Sequence, residues 1–451
     1  MTERMKAAAA AGAVAAFWLA AWMLVAALVA QPLILPGPGA VVAALLRLVC
    51  AVGTWAILAG SGVRILGGLA LAAVCGGLLA GISVRSRAFA RLAAPALSFV
   101  KATPVACVVV LLLIWLGSAR VSIAAVFLMA LPGVYFSLVE GLAQVDKPLE
   151  QMFRLHGVRG WRLFCAHTWR EVLPFVLSCA RAVIGMSWKA GVAAELIGMA
   201  VGTVGERIYQ AKLLIETADL LAWTVLVVAV SWACERVLVW LLRASGSVAW
   251  RVAVRAHGRG GRGRAASAGA GAASELVLAV GDRAPWAPAL DGLVLNVPAG
   301  GRVCVMGASG VGKSTLLALA AGECVPCSMV FQDARLVEGA SALDNVLVCA
   351  DARVDASSAT ALLRRLVPGI DVHARVAELS GGQRRRVEIA RALLCGSCAV
   401  ILDEPFTGLD ASARDATAET VLDLLDGRML LLATHDAADA KALNISDIIT
   451  L

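Results

Sequence analysis

Apolar residues are spread unevenly along this chain of 451 residues. From Ala7 to Ala30 they run almost unbroken, and further apolar stretches follow at about residues 61–83, 102–118, 121–142, 173–200 and 219–242. An α-helix needs roughly 20 apolar residues to cross a bilayer, so the pattern predicts six membrane spans, all α. From residue 275 the rhythm changes. Short apolar runs, such as Val303–Val305, Val400–Leu402 and Leu430–Ala433, alternate with amphipathic stretches. That alternation predicts buried parallel strands separated by helices. A membrane portion is thus followed by an α/β portion.

The polar residues between the spans set an orientation. One set of loops carries Arg85, Arg87, Arg91 and Lys101, then Lys147, Arg154, Arg159, Arg162 and Arg170, then Arg243, Arg251 and Arg255. The opposite loops hold only Arg47, Arg120, Arg207 and Lys212. Cytoplasmic loops collect Lys and Arg, so the N-terminus and the α/β portion are expected in the cytoplasm. Arg4 and Lys6 ahead of an apolar run also suit a secretory signal, but the run is longer than such a segment needs.

Composition agrees with this division. Hydrophobic residues make up 60%, charged residues 16%, and the mean hydropathy is +0.82, which excludes a wholly soluble chain. The net charge of +8 is partly explained by arginines in the membrane-proximal loops and the linker, and no basic stripe is interleaved with aromatics, so no nucleic-acid partner is expected. Residues 243–273, with the run His257–Arg264 and an Ala/Ser/Gly-rich tail, read as a flexible linker whose arginines face membrane lipid. The expected domains are residues 1–242, the linker 243–273 and the α/β domain 274–451, with a long polar loop at about 143–172.

Candidate chemistry begins at Gly307-Ala308-Ser309-Gly310-Val311-Gly312-Lys313-Ser314-Thr315. This fits G-x-x-x-x-G-K-[ST] between an apolar strand and an apolar helix, the context of a phosphate-binding loop. Backbone N–H groups curl around phosphate oxygens, Lys313 reaches the β/γ-phosphates, and the Ser314 hydroxyl ligates Mg²⁺. Four more stations follow in order. Gln332 ends a short strand, where it can reach the metal. Leu379-Ser380-Gly381-Gly382-Gln383 precedes a basic amphipathic helix and offers a second anion cradle. Asp403 and Glu404 end a buried strand, where Asp403 suits Mg²⁺ and Glu404 suits a base for the attacking water. His435 ends another strand, placed to sense the γ-phosphate.

Together these stations resemble the ATPase of ABC transporters over residues 275–451. Walker A is Gly307–Thr315, the Q-loop residue is Gln332, the signature is Leu379–Gln383, Walker B is Asp403–Glu404, the D-loop is Gly408-Leu409-Asp410, and the switch histidine is His435. The resemblance implies ATP hydrolysis with Mg²⁺ at Ser314, Gln332 and Asp403. It also implies a dimer in which Walker A of one copy faces the signature of the other. Three departures stand out: Lys313 and Gln332 are unusually close, so strands of the antiparallel edge subdomain are expected to be missing and the domain shortened; the sequence stops at Leu451, soon after the strand following His435; and Trp286, the aromatic near the adenine-stacking position, does not have the family's spacing.

The loop 143–172 resembles the coupling loop of binding-protein-dependent import permeases, with Gly157 as its glycine and Pro174 at the next span. Arg181, Gly185, Trp188, Ala194, Glu195 and Leu35-Pro36-Gly37-Pro38 resemble the nitrate/sulfonate/taurine subclass. Met152, Leu155, Trp161, Leu163 and Phe164 are expected to form its apolar knob. The resemblance implies a fused permease–ATPase half-transporter in the bacterial inner membrane. Its partners would be a second copy of the chain, an external solute-binding protein and a small solute: a sulfonate, taurine, nitrate or a vitamin precursor. Lys189 or Glu195 is expected to line the path. An exporter, or an interaction protein with a weakened ATPase, remains open at this point. One feature lies outside the resemblance. Cys324-x-x-Cys327 and Cys395-x-x-Cys398 each precede a strand, and four converging thiols would suit a zinc or iron–sulfur site; chance pairing in a chain of 12 cysteines is the simpler account.

Overall fold

The computed structural model describes residues 3–256, 275–280, 290–324 and 327–451. Trp286 and most of the expected linker lie outside them. The chain forms two compact units, residues 1–144 with 172–245, and residues 145–171 with 246–451. The polar loop between two membrane helices therefore belongs to the same unit as the α/β domain.

In the first unit the helices are α1 (Glu3–Val29), α2 (Pro38–Cys50), α3 (Val52–Arg85), α4 (Arg87–Ala102), α5 (Val105–Leu116) and α6 (Ser118–Ala143). The second unit takes up the chain at α7 (Lys147–Leu155) and α8 (Gly160–Leu163), and one wide π-type turn, Phe164–Thr168, leads into α9 (Trp169–Gly198). After α10 (Val204–Leu213) comes α11 (Thr217–Arg255). Residues 12–29, α3, α6, the run 160–198 and α11 are long and apolar enough to cross a membrane.

The span expected at 102–118 differs. It is α5, only 12 residues long, bent by 101° from α4. The break falls at Thr103-Pro104, where proline lacks an N–H and disfavours a helical preceding residue. The pair is a broken span or a re-entrant loop. Another difference concerns the linker: α11 continues as helix to Arg255, because Trp250 and Ala253 are buried in the second unit's core.

α3 and α6 pack closely through small residues. A Cβ on Gly68 would lie 2.5 Å from the Ile123 carbonyl oxygen and 2.9 Å from Val126, so only glycine permits that approach.

The second unit continues with strands β1 (Leu276–Ala279), β2 (Val294–Val297) and β3 (Arg302–Met306), helix α12 (Lys313–Glu323), and β4 (Ser328–Val330). Then come α13 (Ala342–Leu347), α14 (Ala356–Leu366), α15 (Gly381–Leu394), β5 (Ala399–Asp403), α16 (Ala411–Leu424), β6 (Met429–Thr434), α17 (Ala437–Ala442) and β7 (Asp447–Thr450). The main sheet runs β4-β5-β6-β3-β7, and every pair is parallel. All residues of β4, β5 and β6 are buried, which is why these strands read as continuous apolar runs. β1 and β2 pair antiparallel as a separate ribbon. Parallel order aligns the carboxyl ends of β3, β4, β5 and β6, where α/β sheets bind ligands.

Candidate functional site

Walker A leaves β3 and enters α12. Gly310 and Gly312 take φ of +83° and +113°, values that glycine adopts without a Cβ penalty. Lys313 begins the helix and is buried. Its ammonium donates to the carbonyls of Gly307 at 2.7 Å and Ala308 at 3.0 Å, so it lies across the mouth of the loop. Ser314 donates a hydrogen bond to Asp403 at the end of β5. Burial holds the Asp403 carboxyl above its ordinary pKa, and the Ser314 bond partly opposes that shift. Two hard oxygen donors thus meet where the sheet opens, a donor set that fits Mg²⁺.

Glu404 follows with φ +46°, a strained backbone for a residue that is not glycine. Its N–H donates to Ala433 on the neighbouring strand at 2.9 Å. The carboxylate meets His435 Nδ1 at 3.2 Å. The sequence placed acid and histidine at two strand ends; β5 and β6 are adjacent, and their register brings the two side chains together.

The signature opens α15. Ser380 and Gln383 form a capping box, Ser380 accepting from the Gln383 N–H at 3.3 Å and Gln383 Oε1 from the Ser380 N–H at 2.9 Å. Ser380 and Gly381 are exposed, so the cradle faces outward from its own chain. Gly382 lies against the D-loop, with Leu409 3.1 Å from its ideal Cβ position. Asp410 caps α16 by accepting from the Ala413 N–H at 2.7 Å.

One residue that sequence reasoning missed ties these parts together. Arg385, buried on α15, donates from Nη2 to the carbonyls of Gln332 (3.3 Å), Asp403 (3.0 Å) and Glu404 (2.9 Å), and from Nη1 to Phe331. A guanidinium presents several donors in a fixed fork, so one side chain fixes the ends of β4 and β5. Its charge meets Glu388, fully buried, at 3.1 Å, with Arg391 3.7 Å away on the other side. The spacing Arg385, Glu388, Arg391 places all three on one helix face. That i, i+3, i+6 pattern was the available signal, obscured by the run Arg384–Arg386 in a helix that read only as basic and amphipathic.

α7 is seated in this same unit. Asp146 caps it, accepting from the Leu149 N–H at 3.2 Å. Met152 and Phe153 are fully buried in one core with Met329, Phe331, Val348 and Cys349. Arg335 donates to the Pro148 carbonyl at 3.1 Å while stacking on Phe331 at 3.5 Å, and Arg162 donates to the Val348 carbonyl at 2.5 Å. The apolar knob is therefore Met152, Phe153 and Leu163, whereas Trp161 is exposed and Leu155 and Phe164 are only partly buried.

The described geometry does not bring the paired cysteines together as a metal centre. Cys398 donates to the Cys324 carbonyl at 3.7 Å, so the two pairs are neighbours. Among the described residues, however, no three His, Cys, Asp or Glu side chains could hold a metal. Burial raises Cys324 to about 11 and Cys327 to about 12 and pushes Cys395 up as well, so without a metal these are protonated thiols. In the first unit, Glu195 is fully buried and accepts from Ser61 at 2.8 Å, from the Gly205 N–H at 3.4 Å and from Arg64 at 3.5 Å. Lys189 is exposed on the same helix and does not join that group.

Fold and site define a membrane-embedded transport ATPase with its phosphate-binding domain and its helical bundle in one chain. Residues 73–246 match the family of binding-protein-dependent transport system inner membrane components, and residues 290–407 match the ABC transporter family. Over 179 aligned residues the chain is 36% identical to the aliphatic sulfonates import ATP-binding protein SsuB 1 of Paracoccus denitrificans (strain Pd 1222), covering 37% of this chain and 72% of that one. It is 37% identical over 179 residues to the aliphatic sulfonates import ATP-binding protein SsuB of Escherichia coli (strain K12), covering 34% of this chain and 68% of that one. It is 38% identical over 178 residues to the taurine import ATP-binding protein TauB of Chromobacterium violaceum, again 34% and 68%. A dimeric bacterial ABC transporter cassette aligns with TM-score 0.33 and 24% identity over 40% of this chain and 91% of that one. The chain belongs to the ABC transporter family, as a permease domain fused to an ABC ATPase that hydrolyses ATP to drive transport.

Proposed function

We propose that the chain is one half of a homodimeric importer for a small solute of the sulfonate, taurine, nitrate or vitamin-precursor kind, fed by an external solute-binding protein. It would lie in a bacterial inner membrane with its N-terminus and ATPase domain cytoplasmic. Residues 1–242 would serve as the permease, residues 243–273 as the connection and residues 274–451 as the ATPase. The observation that carries this reading is the seat of α7, a segment between two membrane helices, on Phe331 and Arg335, which flank Gln332. Any movement of Gln332 towards nucleotide moves the surface on which that segment rests.

The residues divide the work as follows. Gly307–Gly312 and Thr315 cradle phosphates, and Lys313 turns from its loop carbonyls to the β/γ-phosphates. Ser314, Asp403 and Gln332 would hold Mg²⁺, which when bound would supply charge neutralisation to the phosphates. Glu404 takes the proton of the attacking water, and His435 holds Glu404 oriented and meets the γ-phosphate. Ser380, Gly381, Gly382 and Gln383 of the second copy close the same site, with Asp410 at the seam. Their outward-facing N-terminus of α15 carries partial positive charge suited to that phosphate.

Import is favoured over export because, among the described residues, one segment between membrane helices, α7, is seated on the ATPase unit. Uptake of labelled taurine into right-side-out and inverted vesicles, prepared with a taurine-binding protein, tests the direction. ATP-dependent uptake by right-side-out vesicles, lost in Glu404→Gln, is expected. Accumulation by inverted vesicles instead would make the chain an exporter, and absence of Glu404-dependent ATPase activity would make it an interaction protein.

A further inference from the structure

A cleft of about 440 Å³ opens between α9 and α11 in the first unit, lined by Arg181, Glu235, Arg236, Val239, Trp240 and Arg243. On α11, residues 236, 239, 240 and 243 fall on one face by helical spacing, and Arg181 closes the cleft from α9. Val239 is buried and the three arginines are exposed. Three guanidiniums thus surround a polar hollow that contains one carboxylate. Among the described residues none of the three makes an ion pair within the chain, and Arg236 instead lies 4.8 Å over the Trp232 ring.

The level of this cleft along α11 follows from length. Crossing a hydrocarbon core takes roughly 20 residues, so a span entering at Thr217 reaches the far boundary near Arg236, and Arg243 lies beyond it. Trp232 and Trp240 straddle that boundary, where indole rings settle. This is the end of α11 that continues into the ATPase unit. Clustered arginines at headgroup depth repel one another unless an anion sits among them. A planar guanidinium also pairs with phosphate through two parallel hydrogen bonds.

We propose that this cleft is a binding site for the phosphate of an anionic phospholipid headgroup, taken from the leaflet facing the ATPase domain. Arg181, Arg236 and Arg243 bind the phosphate and Trp240 packs on the glycerol backbone. The lipid thereby joins α9, which follows the segment seated on the ATPase unit, to α11, which enters that unit. Only the choice of leaflet rests on the orientation proposed above, and headgroup binding is measured without reference to transport direction.

The test uses the full chain in nanodiscs of phosphatidylcholine alone or with one-fifth phosphatidylglycerol, read by native mass spectrometry for retained lipid and by thermal unfolding. Wild type should retain phosphatidylglycerol in preference to phosphatidylcholine and unfold at higher temperature in the mixed discs. The triple variant R181Q/R236Q/R243Q should lose that preference by on the order of a hundredfold, about fivefold for each guanidinium at a membrane surface. R85Q/R87Q/R91Q, altered outside the cleft, should keep it. If the triple variant does not fold, Arg236→Gln alone should show the fivefold loss. Equal retention of both lipids by wild type, or undiminished preference in the cleft variants, overturns the proposal. Stabilisation by inorganic phosphate in phosphatidylcholine discs, equal to that given by phosphatidylglycerol, assigns the site to free phosphate and overturns the lipid.

Discussion

Two fully buried carboxylates, Glu388 in the ATPase unit and Glu195 in the membrane bundle, are held in opposite ways. Glu388 sits between Arg385 and Arg391 on its own helix; Arg385 reaches out to the Asp403 and Glu404 carbonyls and Arg391 to the Arg335 carbonyl. Glu195 draws its partners from other helices: Ser61 and Arg64, far back along the chain on α3, and the nearer Gly205 N–H on α10. The first arrangement is an internal brace, closed on both sides by buried charge. The second is open, since the Arg64 side chain keeps 27% of its exposure while Glu195 keeps none. A brace transmits loss of one member to everything it holds. An open pair can lose its weaker partner and relax.

The largest effect belongs to the residue the brace positions rather than to the brace. Glu404→Gln should leave folding and nucleotide binding intact and lower ATP turnover by roughly 10²–10⁴-fold, the usual contribution of a general base. Steady-state phosphate release, with fluorescent-nucleotide binding as control, measures it. Retained turnover would move the base elsewhere and strip the Arg385 brace of its catalytic meaning.

Arg385→Ala comes next. It leaves Glu388 buried with the Arg335 N–H at 2.6 Å and the 3.7 Å contact to Arg391, and frees the Asp403, Glu404 and Gln332 carbonyls together. Breaking a buried pair in this way costs about 3–5 kcal/mol, read as a fall in unfolding temperature. Arg385→Lys should recover little, because an ammonium cannot span three carbonyls as the fork does. A lysine variant with wild-type turnover would show that charge alone suffices.

How much of this was legible in the sequence follows from the same contrast. Walker A, the signature and Walker B are each contiguous, so their residue types and spacing carry the chemistry without knowledge of the fold. Adjacency of β5 and β6, which joins Glu404 to His435, needed only the parallel order. Arg385 was hidden because its targets are backbone carbonyls, which have no residue identity to read. The Glu195 group was hidden because its members stand 131 and 134 positions apart, a distance no local pattern spans. The broken span at Pro104 was legible in principle from the proline, but the hydropathy of its flanks outweighed it.

A smaller effect separates the seat of α7 from both carboxylates. His156, just after α7, is buried, with Nδ1 bonded to the Met152 carbonyl at 2.9 Å. Burial, aided by Arg391, lowers its pKa from 6.5 to about 3. The unfolded chain therefore binds a proton between those values that the folded chain does not. Stability is full above pH 6.5 and falls as pH drops towards 3, by on the order of 1.4 kcal/mol per pH unit. Unfolding at pH 7 and pH 5 should show the loss, and His156→Gln should flatten it. An unchanged slope in the variant would assign the acid sensitivity to other groups.

The smallest effect is expected at Glu195. In Glu195→Gln the amide oxygen can still accept from Ser61 and Gly205, and only the 3.5 Å contact to a part-exposed Arg64 is lost. Such a pair contributes about 1 kcal/mol or less, well below the Arg385 figure. Thermal unfolding of the two variants side by side measures the difference, with vesicle uptake as the second reading. If Glu195→Gln barely changes unfolding yet abolishes uptake while ATP turnover persists, the carboxylate belongs to the path of the solute. If it destabilises as much as Arg385→Ala, the membrane group is a closed brace after all, and the partial exposure of Arg64 in a single chain is covered in the working assembly.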